Sequence, residues 1–372
     1  MPDAEDFTVG WICALDRELV AAQFIAVLPY KEHGKSSAAV VANDMQRSFP
    51  SIRIGLMVGI GGGAPSAKND VQLGDIVVSC RGGGNGGVLH HDYGKVVQNR
   101  DFTMTGHLNQ PPQLLLLRAV SALEARYDRS AHQIRGNVEK ALEKITRREK
   151  YRRPAATTDR LHLFPFTHPQ NTTQACGVVC GDDASNLIVR KERSRDGDDP
   201  VIHYGIIASA DTLMKDATVR DEMAREHNIL CFEMEAAGLM NHLPCLVIRG
   251  ISDYSDSHKN DEWQGYAAMV AAAYARDLVT CMNAQQVRAT TPIKQLLSDG
   301  KSRMNILRGS RLMDSARAQV NRVRSATDRG EDQRILRWIT EADHAAHFNT
   351  FIRGRHSNTL KWLKDSDKFQ KW

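Results

Sequence analysis

Long apolar runs are missing from this 372-residue chain. Nothing approaches the roughly 20 residues a membrane helix needs, so a spanning helix is not expected. The opening Met1-Pro2-Asp3-Ala4-Glu5-Asp6 is acidic, unlike the basic start of a secretory signal. A disulfide framework is missing as well. The 7 cysteines are scattered among apolar neighbours, as in Trp11-Ile12-Cys13-Ala14 and Pro244-Cys245-Leu246, and read as buried thiols of a reducing, cytoplasmic compartment. Cys176 and Cys180 are close in sequence, but no matching His or Cys pair accompanies them, so no metal site is expected.

Two nucleotide-binding motifs are approached and not completed. Gly34-Lys35-Ser36 ends like a Walker A loop, but Pro29 stands where its first glycine belongs. Gly59, Gly61 and Ala64 have dinucleotide-fingerprint spacing, yet Pro65 and a polar run follow instead of a helix. NAD is therefore rejected, and no cofactor is expected. A glycine cluster at a strand end still signals close backbone approach to something.

Charge of one sign is scarce until the C-terminal end. From Asn283 to Trp372 there are 18 Lys/Arg and 9 Asp/Glu, against 31 and 35 in the rest of the chain. This shift predicts a body over residues 1–284, a basic linker over 285–332 and an amphipathic helical connector over 333–372. The connector holds apolar clusters at Ile335, Leu336, Trp338 and Ile339, at Phe348, Phe351 and Ile352, and at Leu360, Trp362, Leu363 and Phe369. Such clusters pack on something. The basic residues are interspersed with acids and follow no stacking pattern, which argues against a nucleic-acid partner.

The remaining composition, 42% hydrophobic and 25% charged, is that of an ordinary globular protein with chain enough for a large core. Thr8 to Leu15, Ser51 to Ile60, His203 to Ser209 and Pro244 to Ile251 read as buried strands. Helices are expected from Asp16 through Leu28, from the Gly34 turn to Phe49, over Pro111 to Tyr127, over Ile134 to Arg153, over Ala236 to Asn241 and from Trp263 to about Met282. Gly82 to Gly87 with the following His90, His91, Asp92 and Tyr93 reads as surface loop, and Pro154 to Pro200 as loop-like. Together these predict an α/β fold.

Carboxylates stand at several strand ends. Asp253 follows Pro244 to Ile251, and Glu233 and Glu235 precede the small-residue helix beginning at Ala236. Glu18 follows the first strand, on the same sheet edge if the strands are parallel. Ligands of open α/β sheets bind at such carboxyl ends. Each acid alone also suits a helix start or cap.

Taken as one stretch, Cys231 to Tyr266 resembles the signature of the nucleoside phosphorylase and nucleosidase superfamily: a ME-containing helix start, then an apolar strand ending in SD. The Gly34 turn, the glycine-rich loop leading into Gly74-Asp75-Ile76-Val77-Val78-Ser79, and the Ala208-Ser209-Ala210-Asp211 strand end resemble further family segments. The end of the chain resembles the connector ahead of the nucleotide-binding domain in fungal NOD-like receptors.

The resemblance implies a three-layer twisted mixed sheet flanked by helices, with a basic helical C-terminal extension. It also implies cleavage of a purine nucleoside's glycosidic bond. Asp253 would be the acid and Glu18 the water activator. Glu233, Met234, Glu235, Gly61, Gly62, Ser209, Leu213 and Met214 would hold the substrate, with Glu235 on the ribose hydroxyls. Leu213 and Met214 stand where many nucleosidases carry an aromatic. Pro29 to His33 occupies the place of two family strands. The expected partners are a purine nucleoside, phosphate for the phosphorylase alternative, a second copy of the chain in a homo-oligomer, and a downstream NTPase domain in a longer protein. Nucleosidase, phosphorylase and non-catalytic sensing module are the three activities to separate.

Overall fold

The buried runs do become strands, and the strand-end acids meet because of how those strands are wired. In the computed structural model, residues 3–22, 26–29, 32–81, 86–98, 102–107, 114–170, 172, 174, 176–181, 183–190, 200–240 and 242–299 are described. In chain order the strands are β1 (Val9–Cys13), β2 (Ala26–Val27), β3 (Ile54–Gly63), β4 (Ile76–Ser79), β5 (Val88–Lys95), β6 (Thr103–His107), β7 (Ile202–Ser209), β8 (Ile229–Glu233) and β9 (Cys245–Asp253). The helices are α1 (Asp16–Ala22), α2 (Lys35–Ser48), α3 (Leu114–Arg129), α4 (Ile134–Leu142), α5 (Cys176–Val179), α6 (Ala217–His227), α7 (Ala236–Leu239), α8 (Gln264–Thr280) and α9 (Ala284–Ala289).

The strands form one mixed sheet in the order β2-β1-β3-β9-β4-β7-β5-β6. Strand β8 leaves that path and pairs with both β3 and β7, so β3, β9, β4, β7 and β8 close into a ring. Strands β1, β3 and β9 are mutually parallel neighbours, which puts their carboxyl ends on one edge. Strand β8 runs antiparallel to β3, with Gly62 opposite Phe232 and Gly63 opposite Cys231. That pairing carries Glu233 and Glu235 to the same place as the end of β3.

Local chemistry explains the element bounds. Every residue of β9 is buried, as a central strand covered on both faces requires. It packs against α8, whose small residues bring the helix close; Trp263, Tyr266 and Tyr274 are buried there. Helix α6 starts at Asp216, whose carboxylate accepts from the Thr218 and Val219 N–H groups, and stops at Asn228 in the left-handed region (φ 54°). Asp183 and Asn283 cap a 3-10 turn and α9 in the same way.

Several expectations change. Helix α1 ends at Ala22, short of Leu28, and Ala26 and Val27 pair with β1 as the edge strand β2. That two-residue strand, followed by Leu28 N–H donating to Cys13 O (3.2 Å), occupies the sheet edge. The stretch from Ile134 to Arg153 is broken: α4 stops at Leu142, and a 3-10 turn, Arg148–Tyr151, follows. His90 to Tyr93 belong to strand β5 and not to a loop. The compact unit runs to Asp299 rather than 284, because Val287 and Ile293 are buried in the core and Ile293 N–H donates to Ile52 O (2.9 Å). The remaining linker and the connector, 300–372, lie outside the described residues. No helix among the described residues is long and apolar enough to cross a membrane.

Candidate functional site

Arg249 is the centre of the polar cluster at the sheet edge. It lies in the middle of β9, 1% exposed, and a lone guanidinium so deep in an apolar strand must be paired. Its Nη2 donates to Glu233 and lies 3.4 Å from Glu235 Oε2. Its Nη1 donates to Ile60 O at 3.3 Å. Glu18 is close enough to be coupled to it electrostatically. Three carboxylates thus share one cation.

The three acids are held differently. Glu18 Oε2 accepts from the N–H groups of Ala14 (2.7 Å) and Leu15 (2.9 Å), and its Oε1 from Ile60 N–H (2.7 Å). Burial pushes the Glu18 carboxyl above the usual range, against Arg249 and those three N–H donors. Glu233 is engaged inward: it accepts from Glu235 N–H (3.1 Å) and Ala236 N–H (3.0 Å), at the start of α7. Burial raises Glu235 to about 7; Arg249 opposes that rise, and the neighbouring Glu233 and Glu18 add to it.

Asp253, the last residue of β9, is held by three donors. Ser252 Oγ donates to its Oδ2 (2.9 Å), Ser255 N–H donates to its Oδ1 (3.0 Å), and Lys259 pairs with it. The glycines now have their reason. A side chain at Gly59 would overlap Glu18 and Arg249, and one at Gly62 would overlap Ser255 Oγ and crowd Asp253. The close backbone approach is to the site's own side chains.

A cleft of about 220 Å³ opens between these groups, room for one small molecule. Its lining includes Glu18, Gly61, Gly62, Leu213, Met214, Glu233, Met234, Glu235 and Asp253, so nine of the ten residues expected at the site border one space. Ser209 does not. It is fully buried, and its Oγ accepts from Ala237 N–H (2.9 Å) at α7. The lining also brings in Phe232, His33, Arg249 and Lys259, which sequence reasoning missed. Phe232 supplies an aromatic ring from β8. The signal for Arg249 was available: a single charge inside PCLVIRGI.

Away from the cleft's acids, Lys35 at the start of α2 lies between Asp92 (2.7 Å) and Asp211 (3.3 Å) and contacts His90 Nε2 (2.7 Å). The incomplete Walker-like triplet therefore ties α2 to β5 and to the end of β7. Arg17, near the start of α1, donates to Gln264 Oε1 (2.8 Å). The expectation that Cys176 and Cys180 lack His partners is corrected, because the fold brings His168 and His258 beside them.

No protein-family model matches the chain. A nucleotide-binding leucine-rich repeat (NLR)-like protein of Hyaloscypha variabilis is 39% identical over 315 residues, 76% of this chain and 30% of that protein. The ATP nucleosidase Cap17 of Escherichia coli is 32% identical over 83 residues, 21% of this chain and 16% of that one. The chain spans less than a third of either relative. Among solved structures, a 5'-methylthioadenosine/S-adenosylhomocysteine nucleosidase of Neisseria meningitidis aligns over 74% of this chain and 99% of its own, with 15% identity and a TM-score of 0.44. Futalosine hydrolase of Helicobacter pylori aligns over 73% and 97%, with 15% identity and a TM-score of 0.42. By sequence, then, the chain is similar to part of an NLR-like protein and, over a shorter stretch, to part of an ATP nucleosidase.

Proposed function

We propose that the folded body hydrolyses the N-glycosidic bond of a purine nucleoside or nucleotide. One observation carries the proposal: Glu18, Glu235 and Asp253 come from three different strand ends and border one cleft. Breaking a base–ribose bond builds positive charge on the sugar and negative charge on the base. Asp253 protonates the leaving base. Glu235 accepts the ribose hydroxyls. Glu18 retains lone-pair capacity beyond its three backbone bonds and takes the proton of the attacking water. Its raised pKa makes it a stronger base than an ordinary carboxylate. Three carboxylates around one guanidinium place acceptor oxygens where the sugar becomes cationic in the transition state.

Hydrolysis is preferred to phosphorolysis for an electrostatic reason. The Arg and Lys residues lining the cleft, Arg249 and Lys259, are each paired with a carboxylate. Phosphate would have to displace one of those pairs. The likeness to an ATP nucleosidase extends the candidate substrates to nucleotides. The NLR-like relative, of which the chain spans 30%, supports a module within a longer receptor-like protein, ahead of an NTPase domain.

The test is incubation of the purified chain with purine nucleosides and with ATP, with and without phosphate, followed by chromatography of free base. Base released without phosphate is expected. Strict dependence on phosphate would make the protein a phosphorylase. Saturable binding with no released base would make it a sensing module.

A further inference from the structure

Phe166, His168, Cys176 and Cys180 lie against Ser257 and His258, in the segment that follows Asp253. Four side chains converge there: His168, Cys176, Cys180 and His258, with one donor atom of each within 4.8 Å of every other. His168 Nδ1 is 3.1 Å from Cys180 Sγ, and His258 Nδ1 is 3.4 Å from Cys180 Sγ and 3.5 Å from Cys176 Sγ. In a zinc tetrahedron, Zn–S bonds of about 2.3 Å and Zn–N bonds of about 2.0–2.1 Å leave sulfur and nitrogen about 3.5 Å apart. These three sulfur–nitrogen separations are close to the edges of such a tetrahedron.

A second observation concerns ring orientation. His258 Nε2 is hydrogen-bonded to Phe166 O (3.0 Å), an acceptor only, so Nε2 carries the proton and Nδ1 presents its lone pair to both thiols. A backbone carbonyl bound to the far nitrogen is the usual orienting partner of a metal-ligating histidine. The ring is clamped further by His162, stacked 3.7 Å away, and its backbone N–H donates to Asp256 Oδ1 (2.9 Å). Opposite, His168 is anchored by its N–H to Ser257 Oγ (2.9 Å). The Cys176-x-x-x-Cys180 spacing across α5 is one that zinc ligands use.

We propose that His168, Cys176, Cys180 and His258 bind one Zn²⁺. Two thiolates and two imidazoles in tetrahedral array select zinc over the oxygen-seeking Mg²⁺ and Ca²⁺. Four protein ligands leave no open position, so the ion is structural. Its consequence reaches the cleft. His258 adjoins Lys259, the partner of Asp253, so the metal fastens the connection between α4 and β7 onto the turn that follows Asp253.

The test uses the full chain produced with added zinc, dialysed, and assayed by elemental analysis. Expected is a single tightly held zinc per chain, and, after exchange for Co²⁺, a tetrahedral d–d spectrum with thiolate-to-metal charge transfer. The double variant Cys176→Ser, Cys180→Ser should lower bound metal at least about tenfold, whereas Cys80→Ser, altering an exposed thiol outside the cluster, should leave it unchanged. If the double variant fails to fold, Cys176→His keeps four donors and should retain the metal, and the wild-type cobalt spectrum still decides. Zinc that survives the double substitution would overturn the proposal. So would a wild-type chain that leaves dialysis metal-free, a cobalt spectrum without thiolate bands, or a Cys176–Cys180 disulfide in zinc-exposed protein. None of these readouts depends on nucleoside turnover.

Discussion

Replacing Asp253 by Asn separates a proton donor from a well-placed cap. The side chain keeps its size, and an Asn oxygen can still accept from Ser255 N–H (3.0 Å). It loses the ability to hand a proton to a leaving base, and it loses the pair with Lys259. The Lys259 side chain is 21% exposed, so its ammonium can turn to water, and the folding cost should stay near about 1 kcal/mol. For a domain of this size that corresponds to roughly 2–4 °C in Tm. Loss of general-acid assistance should slow turnover by about 10²–10⁴-fold. At about 1.36 kcal/mol per decade, this is about 2.7–5.4 kcal/mol of barrier, well above the stability change. Release of free base would be followed by chromatography, with Tm from calorimetry and nucleoside affinity from titration on the same preparations. Wild-type turnover at unchanged Tm would show that Asp253 only caps the turn. A collapse in Tm that accounts for the lost activity would likewise refute its role as the acid.

Further outcomes concern Glu235 and the extent of the folded body. Glu235 is raised from the ordinary value of 4.5 to about 7, so it must lose its proton before it accepts ribose hydroxyls; nucleoside affinity and kcat/KM should rise with pH through about 7. Its contribution to folding has the opposite sign: the folded state holds that proton more tightly, so this stability is present below 4.5 and is lost as pH climbs through about 7. A flat pH–affinity profile across that window would remove Glu235 from the ribose site. Truncation after Asp299 should leave Tm unchanged, whereas truncation after Met282 deletes the buried Val287 and Ile293 and should cost about 3–6 kcal/mol. Equal melting temperatures for the two truncations would show that α9 adds nothing to the core.

Short-range patterns accounted for much of this protein. Branched apolar runs marked β1, β3, β7 and β9, because a strand covered on both faces has few other compositions. The glycines of β3 and the acids at the strand ends were visible as residue types, and their resemblance to a known signature named a chemistry for them. What the pattern could not supply was pairing. That β8 turns antiparallel onto β3, carrying Glu233 and Glu235 to Gly61 and Gly62, follows from hydrogen bonds between segments far apart in the chain. Only this tertiary arrangement decided that Arg249 sits among three carboxylates, that Glu233 serves the backbone of α7, and that Ser209 accepts from Ala237 N–H instead of lining the cleft. The Cys and His cluster shows the same limit. Cys176 and Cys180 are adjacent on one helical turn, but His258 reaches them across |i−j| = 82 and 78, a contact no local spacing encodes. Local composition set which segments were buried and which residues bore charge, since both depend on neighbours in sequence. Which charges met was set by the closing of the sheet.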